Sequence, residues 1–262
     1  MEESTVSTVT AVIDGQQVQV QTDTTILEAA RQYDIPIPTL CYHPALVPYG
    51  ACRLCIVEVK RGNVSRIVSS CTYHLQEDGL TIDTQSERVL RDRRVIVELL
   101  LARCSNVKII QDLANKLGIE RPRFSLKDEN CILCGLCVRV CEELMGESAI
   151  SFVGRGPERK VMTPFQEATE ACIGCGACAF VCPTGAIEIE DVTGKRTMVN
   201  WQTTLERRRC RICGNYFAPE VELNRLEGKL DLLKESLEVC PQCRRKLTGK
   251  EWLTGIRASP SL

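Results

Sequence analysis

Aromatic residues are scarce, 5% of 262, and there are only two histidines. No apolar run approaches the roughly 20 residues of a membrane helix, so direct membrane insertion is not expected. Charge of one sign is missing too: 33 Lys and Arg face 34 Asp and Glu, a net charge of −1. That balance gives no global electrostatic case for nucleic acid or a membrane surface. The chain lacks a Gly-x-Gly-x-x-Gly fingerprint, a phosphate-binding loop and a Ser/His/Asp set. The opening residues, Met1-Glu2-Glu3-Ser4, are acidic and lead into no signal-peptide apolar region, so a cytoplasmic location is expected.

Against these absences stand 17 cysteines. Pairs at two-residue spacing without a secretion signal point to metal in a reducing compartment rather than to disulfides. They fall into three groups of four, eight and four, with Cys104 left over. The largest group is Cys131-x2-Cys134-x2-Cys137-x3-Cys141 and Cys172-x2-Cys175-x2-Cys178-x3-Cys182-Pro183. This is the bacterial two-cluster ferredoxin pattern, in which the fourth cysteine of each run serves the other cluster. It assigns Cys131, Cys134, Cys137 and Cys182 to one [4Fe–4S], and Cys172, Cys175, Cys178 and Cys141 to a second. The runs are an internal repeat at an offset of about 41 residues. Gly135 and Gly176 occupy equivalent places, where positive φ lets backbone N–H groups face cluster sulfur. Short strands are expected at 151–153, 160–162, 187–189 and 197–199.

The N-terminal stretch reads as strand (Val6–Ile13), turn (Asp14-Gly15), strand (Val18–Val20), then a helix capped by Thr24 or Thr25 and stopped by Ile35-Pro36-Ile37-Pro38. This is the start of a β-grasp domain. Strands at 55–60, 66–69 and 80–83 surround Cys41-x10-Cys52-x2-Cys55-x15-Cys71, a thiolate set suited to [2Fe–2S]. The segments Cys41-Tyr42-His43-Pro44, Tyr49-Gly50-Ala51-Cys52-Arg53-Leu54-Cys55 and Ser70-Cys71-Thr72 resemble the N-terminal [2Fe–2S] domain of the large iron–sulfur subunit of respiratory complex I. The same domain occurs in the diaphorase small subunit of NAD-linked hydrogenases and in multi-cluster iron-only hydrogenases. With four cysteines present, His43 and His74 are expected in loop or hydrogen-bonding roles.

Residues 86–103 have helical periodicity, and Arg88, Arg91, Arg93 and Arg94 read as a solvated face. The resembled family continues into a cluster motif of one histidine and three cysteines. Residues 101–124 offer only Cys104, so that cluster is expected to be absent and Cys104 to be a packed small hydrophobe. An amphipathic helix is expected at 107–117. The insert reads as a spacer, with electrons passing to the repeat through a partner.

The tail holds Cys210-x2-Cys213 and Cys240-x2-Cys243 around a helical stretch, 221–237. Knuckle spacing favours a zinc ribbon, and a third [4Fe–4S] is the alternative. Arg207-Arg208-Arg209 reads as a solvated or docking face.

The expected fold is thus α+β: a [2Fe–2S] β-grasp domain over 5–85, a helical linker over 86–124, a two-[4Fe–4S] ferredoxin domain over 125–200 and a zinc-ribbon-like tail over 201–262. The resemblance implies an electron-transfer subunit between a flavin-containing NAD(P)H-oxidising subunit and a catalytic reductase or hydrogenase subunit, with ferredoxin as a further partner and no nucleic acid. No catalytic residue of its own is expected. The other class is a redox-sensing iron–sulfur and zinc regulatory protein.

Overall fold

The computed structural model describes residues 7–229 and 234–248, which form two compact units. The first comprises Met1–Leu144 with Val181–Ala186. It opens with a hairpin of β1 (Thr8–Ile13) and β2 (Gln16–Gln21). Asp14 and Gly15 both have positive φ, 49° and 84°, the turn geometry that matches strand twist. Helix α1 (Ile26–Gln32) follows. Thr25, not Thr24, is its cap: Thr25 Oγ1 accepts the Glu28 N–H, and the Glu28 carboxylate accepts the Thr25 N–H in return.

Strands β3 (Ile56–Arg61), β4 (Val64–Ser69) and β5 (Leu80–Asp83) complete a sheet of order β2-β1-β5-β3-β4. The β1–β5 pair is parallel and the others antiparallel. This is the expected β-grasp arrangement. Alternate residues of β1 and β2 (Val9, Ala11, Ile13, Val18, Val20) meet Ile26, Ala29 and Ala30 of α1 and Leu80 and Ile82 of β5. Ile13 and Ile82 are at most 1% exposed. Each buried aliphatic side chain of this kind contributes about 1.5–3 kcal/mol.

Helix α2 (Glu87–Arg103) is capped by Ser86 and packs on α3 (Lys108–Lys116). Cys104 ends α2, is fully buried, and pairs through its backbone with Asp128. It is packed, as expected. Helix α4 (Leu136–Arg139) runs directly into a π-helical turn, Val140–Leu144.

The second unit comprises Met145–Phe180 with Ile187–Leu262. Strands β6 (Ser151–Val153) and β7 (Lys160–Met162) pair as a hairpin at the expected positions. Helix α5 is Ala177–Phe180. Strands β8 (Ile189–Val192), β9 (Lys195–Met198), β10 (Thr203–Arg209) and β11 (Tyr216–Pro219) make one antiparallel sheet, order β11-β10-β9-β8. The sheet crosses residue 200, so the four-cysteine segment shares hydrogen bonds with the strands before it. β8 and β9 lie about two residues from the expected 187–189 and 197–199, because their register is set around the Gly194 turn (φ 82°).

Helices α6 (Glu220–Lys229) and α7 (Lys234–Leu237) divide the stretch expected as one helix. Leu230 and Leu233 lie outside the described residues. Residues 241–248 are helical. Among the described residues, no helix is long and apolar enough to cross a membrane.

Candidate metal centres

In the first unit the chain brings Cys41, Cys52, Cys55 and Cys71 together, all at most 8% exposed. Cys41 lies on the loop after α1, Cys52 and Cys55 precede β3, and Cys71 follows β4. The Cys52 N–H donates to Cys41 Sγ at 3.4 Å, and the Cys55 and Cys71 sulfurs are 3.4 Å apart. In each pair one thiol ionises early. Hydrogen bonding from Cys52 draws Cys41 down to about 6, and that from Cys71 draws Cys55 down to about 6, against burial. Leu27, Ile37 and Tyr42 pack around Cys55 and Cys71. Arg53 takes φ 58° to make the tight loop between Cys52 and Cys55.

Arg93 overturns its reading as part of a solvated face. It is 5% exposed. Its Nε donates to the Leu54 carbonyl at 3.0 Å and its Nη2 to the Ile56 carbonyl at 2.6 Å. The α2 cation therefore braces the Cys52–Cys55 loop. His43 Nδ1 accepts the Ala45 N–H at 3.2 Å, and His74 is exposed with its backbone bridged to Thr25. His43 thus has a local hydrogen-bonding role, and His74 is held through its backbone.

The same unit holds Cys131 and Cys134 on the loop entering α4 and Cys137 on α4 itself, together with Cys182. Leu133 and Gly135 have φ 54° and 77°, which turns the loop back on itself. The Leu133 N–H donates to Cys131 Sγ at 3.4 Å, and the Ala186 N–H to Cys182 Sγ at 3.3 Å. Burial pushes the Cys134 thiol up to about 11, with further contributions from the neighbouring thiols of Cys182, Cys131 and Cys41. Cys134 thus lies near both cysteine groups.

The insert does not hold those groups apart. At the end of α2, Arg103 Nε donates to the Cys131 carbonyl at 2.7 Å, while its guanidinium pairs with Glu129. Arg93 and Arg103 are separated by about 15 Å of helix, so one rigid element braces both loops. Arg139, on α4, adds a direct link. Its Nη2 donates to the Cys41 carbonyl at 2.8 Å and its Nη1 to the Val47 carbonyl. The expected spacer is a clamp.

In the second unit Cys172 and Cys175 share a loop in which Gly174 and Gly176 take φ 69° and 79°, and Cys178 follows on α5. These repeat the positive φ values of Leu133 and Gly135, so the internal repeat extends to the backbone. A Cβ on Gly174 would come within 2.5 Å of Leu205 Cδ1. Burial pushes Cys178 up to about 11, and a hydrogen bond from the Trp201 side chain pulls the other way. Trp201 is 3% exposed.

The tail thiols of Cys210, Cys213, Cys240 and Cys243 all lie within 4.8 Å of one another. Cys213 and Cys240 sulfurs are 3.8 Å apart, and the Cys240 N–H donates to Cys210 Sγ at 3.3 Å. Backbone N–H groups of Cys213 and Cys240 draw Cys210 down to about 6. The adjacent arginines, of which Arg209 is exposed, also bond within the second unit. Arg207 donates to the Tyr216 carbonyl, Arg208 pairs with Glu220 at 2.7 Å and Glu227 at 2.9 Å, and Arg209 donates to the Gly214 carbonyl.

Thiol groups of this kind, with N–H donors aimed at sulfur, are the donor chemistry that iron–sulfur groups and zinc require. Arg139 Nε is buried without a hydrogen-bond partner among the described residues. The family comparison agrees. Residues 6–87 match the 2Fe-2S iron-sulfur cluster binding domain, and residues 125–189 match a 4Fe-4S dicluster domain. A second 4Fe-4S dicluster domain matches residues 171–245. The chain is an iron–sulfur protein.

This iron–sulfur chain is 33% identical over 204 residues to the NADPH-Fe(3+) oxidoreductase subunit alpha of Geobacter sulfurreducens, covering 68% of the chain and 24% of that protein. It is 34% identical over 214 residues to the NADP-reducing hydrogenase subunit HndD of Solidesulfovibrio fructosivorans, covering 69% of the chain and 36% of that protein. The iron–sulfur chain thus spans about a quarter to a third of the length of these relatives. A crystal structure of an NAD+-reducing [NiFe]-hydrogenase in the H2-reduced state superimposes with a TM-score of 0.59 at 29% identity, covering 69% of this chain and 86% of that one.

Sequence reasoning missed Arg93, Arg103, Arg139 and Trp201. Only Trp201 carried a signal, as one of two tryptophans in a chain poor in aromatics.

Proposed function

We propose that this chain is an electron-relay subunit of an NAD(P)H-linked oxidoreductase complex, between a flavin-containing NAD(P)H-oxidising subunit and a catalytic reductase or hydrogenase subunit. The observation that carries the reading is the clamp in the first unit, where Arg139 reaches from one cysteine loop to the Cys41 carbonyl of the other. Two thiol groups built as separate cofactor carriers would not need a buried cation between them. The printed names of the relatives support the redox class.

Cys41, Cys52, Cys55 and Cys71 would hold [2Fe–2S], and Cys131, Cys134, Cys137 and Cys182 one [4Fe–4S]. Cys172, Cys175 and Cys178 would hold the second, completed by Cys141 according to the repeat. The domain limits 5–85, 86–124, 125–200 and 201–262 follow these groups. When bound, such groups exchange single electrons without proton or group transfer. The chain's own residues orient the thiolates, donate N–H groups to sulfur, exclude water from Cys41, Cys52, Cys55 and Cys71 and place cations beside the cysteine loops.

For the tail we propose zinc. Zinc–thiolate bonds of about 2.3 Å in a tetrahedron separate sulfurs by about 3.8 Å. That agrees with the Cys213–Cys240 separation of 3.8 Å. The dicluster match over residues 171–245 speaks for a third [4Fe–4S], but a cubane would spread its thiolates over different irons. A cytoplasmic, reducing location suits this many thiolates.

Anaerobic purification of the tagged chain from its host tests the function. A co-purified flavoprotein, through which NAD(P)H bleaches the cluster absorbance, is the expected result. Co-purified nucleic acid without a flavoprotein would support the sensor instead. The bonds that Arg207, Arg208 and Arg209 make within the second unit speak against a free basic patch for the sensor.

A further inference from the structure

We propose that Arg139 is a positioning residue that places one cation beside both the [2Fe–2S] and the first [4Fe–4S] groups, so that the same charge raises both reduction potentials. This rests on the ligand sets and relay reading above. Arg139 lies between Cys137 and Cys141 in sequence and is 9% exposed. Its fork is committed to the other loop, with Nη2 on the Cys41 carbonyl at 2.8 Å and Nη1 on the Val47 carbonyl. Its guanidinium lies 5.6 Å from the centre of the Tyr49 ring. Nε is buried and has no hydrogen-bond partner among the described residues.

The cation also has no carboxylate within ion-pairing distance among the described residues. Glu143, one turn along the same segment, instead accepts the Val47 N–H at 2.8 Å. A buried charge without a counter-ion is strongly unfavourable. The negative charge able to balance Arg139 is that of the thiolates, Cys41 on one side and the Cys131–Cys137 loop on the other. Carbonyl contacts alone do not explain why the bridging group is cationic.

Arg93 provides the internal comparison. It too is buried, donates to backbone carbonyls and has no carboxylate within ion-pairing distance among the described residues. It contacts only the Cys52–Cys55 loop, so its charge serves one group. Arg139 is carried by the loop of one group and bonded to the loop of the other, so its charge serves both. Reduction adds one electron, and one negative charge, to either group. A fixed cation beside it stabilises the reduced form and raises the potential. Each group feels the same fixed cation, so one charge raises both potentials. A lysine would keep the charge without the planar fork.

The test is an EPR-monitored redox titration of the full chain, loaded anaerobically and checked for iron content. Arg139→Gln removes the charge and keeps one hydrogen bond. Both the [2Fe–2S] and the first [4Fe–4S] midpoints are expected to become more negative. Arg139→Lys is expected to hold both midpoints near wild type. Unmoved midpoints in a fully loaded Arg139→Gln chain would reduce Arg139 to a mechanical staple and overturn the proposal, as would a shift in only one centre. If the Gln variant fails to load, the Lys variant decides: retained midpoints support the charge, and lowered ones assign the effect to the fork. Failure of the relay reading looks different, since potentials then move together in a chain that recruits no flavoprotein.

Discussion

At the scale of single residues, cysteines announce themselves and their electrostatic neighbours do not. Cys131 to Cys182 are legible because cubane ligation fixes sequence spacing. Arg93 and Arg139 are not, because what they do depends on contacts 37 to 98 residues away. In a local pattern, Arg93 cannot be told from Arg91, which is exposed and near Asp92. Trp201 is the case most open to experiment. Its side chain hydrogen-bonds Cys178, and a donor to a ligand sulfur stabilises the reduced, more negative state. Trp201→Phe keeps the ring and removes the N–H. The midpoint of the second [4Fe–4S] should fall, while iron content and the [2Fe–2S] midpoint stay fixed. An unchanged midpoint would confine Trp201 to packing.

Elements are more legible than their edges. β5, β6 and β7 match their expected limits, since alternating apolar residues and flanking turns agree there. Local pattern leaves the cap of α1 open between two threonines, and the reciprocal Glu28 bond settles it on Thr25. Thr25→Ala removes that bond and should cost about 1 kcal/mol, read as a lower unfolding midpoint of the first unit with cluster spectra unaltered. An unchanged midpoint would show that tertiary packing, not the cap, holds α1. In the second unit, β8 and β9 are tied by Asp191 to Arg196 at 2.8 Å, with Arg207 at 3.5 Å. The hydrogen bond from Arg196 holds the Asp191 carboxyl below its ordinary 3.8. A depressed carboxylate adds stability above its unfolded pKa and loses it as pH falls through the folded one. The tie is thus complete at neutral pH and fails only below about pH 4. Asp191→Asn should flatten the acid limb of the stability curve. A limb as steep as wild type would place that acid sensitivity elsewhere.

For the whole chain, the decisive quantity is metal content, because the sequence leaves the tail open between two chemistries. Two observations pull in opposite directions: a dicluster match that runs through Cys243, and four sulfurs within 4.8 Å. Sulfur spacing bears on bond length and coordination number, the match on resemblance. Closed tetrahedral zinc is redox-inert and holds structure. Its placement fits that role, for Cys210 follows β10 and the first knuckle links it to the edge strand β11. With zinc in the tail, anaerobically loaded chain should contain about ten irons and one zinc; with a third cubane, about fourteen irons and none. Cys213→Ser should then abolish zinc binding, leave about ten irons in place and lower the unfolding midpoint of the second unit. Iron near fourteen in wild type, with zinc below half an equivalent, would falsify the zinc assignment. It would also make the tail a further electron station, and Cys213→Ser would then remove a paramagnetic signal rather than only stability.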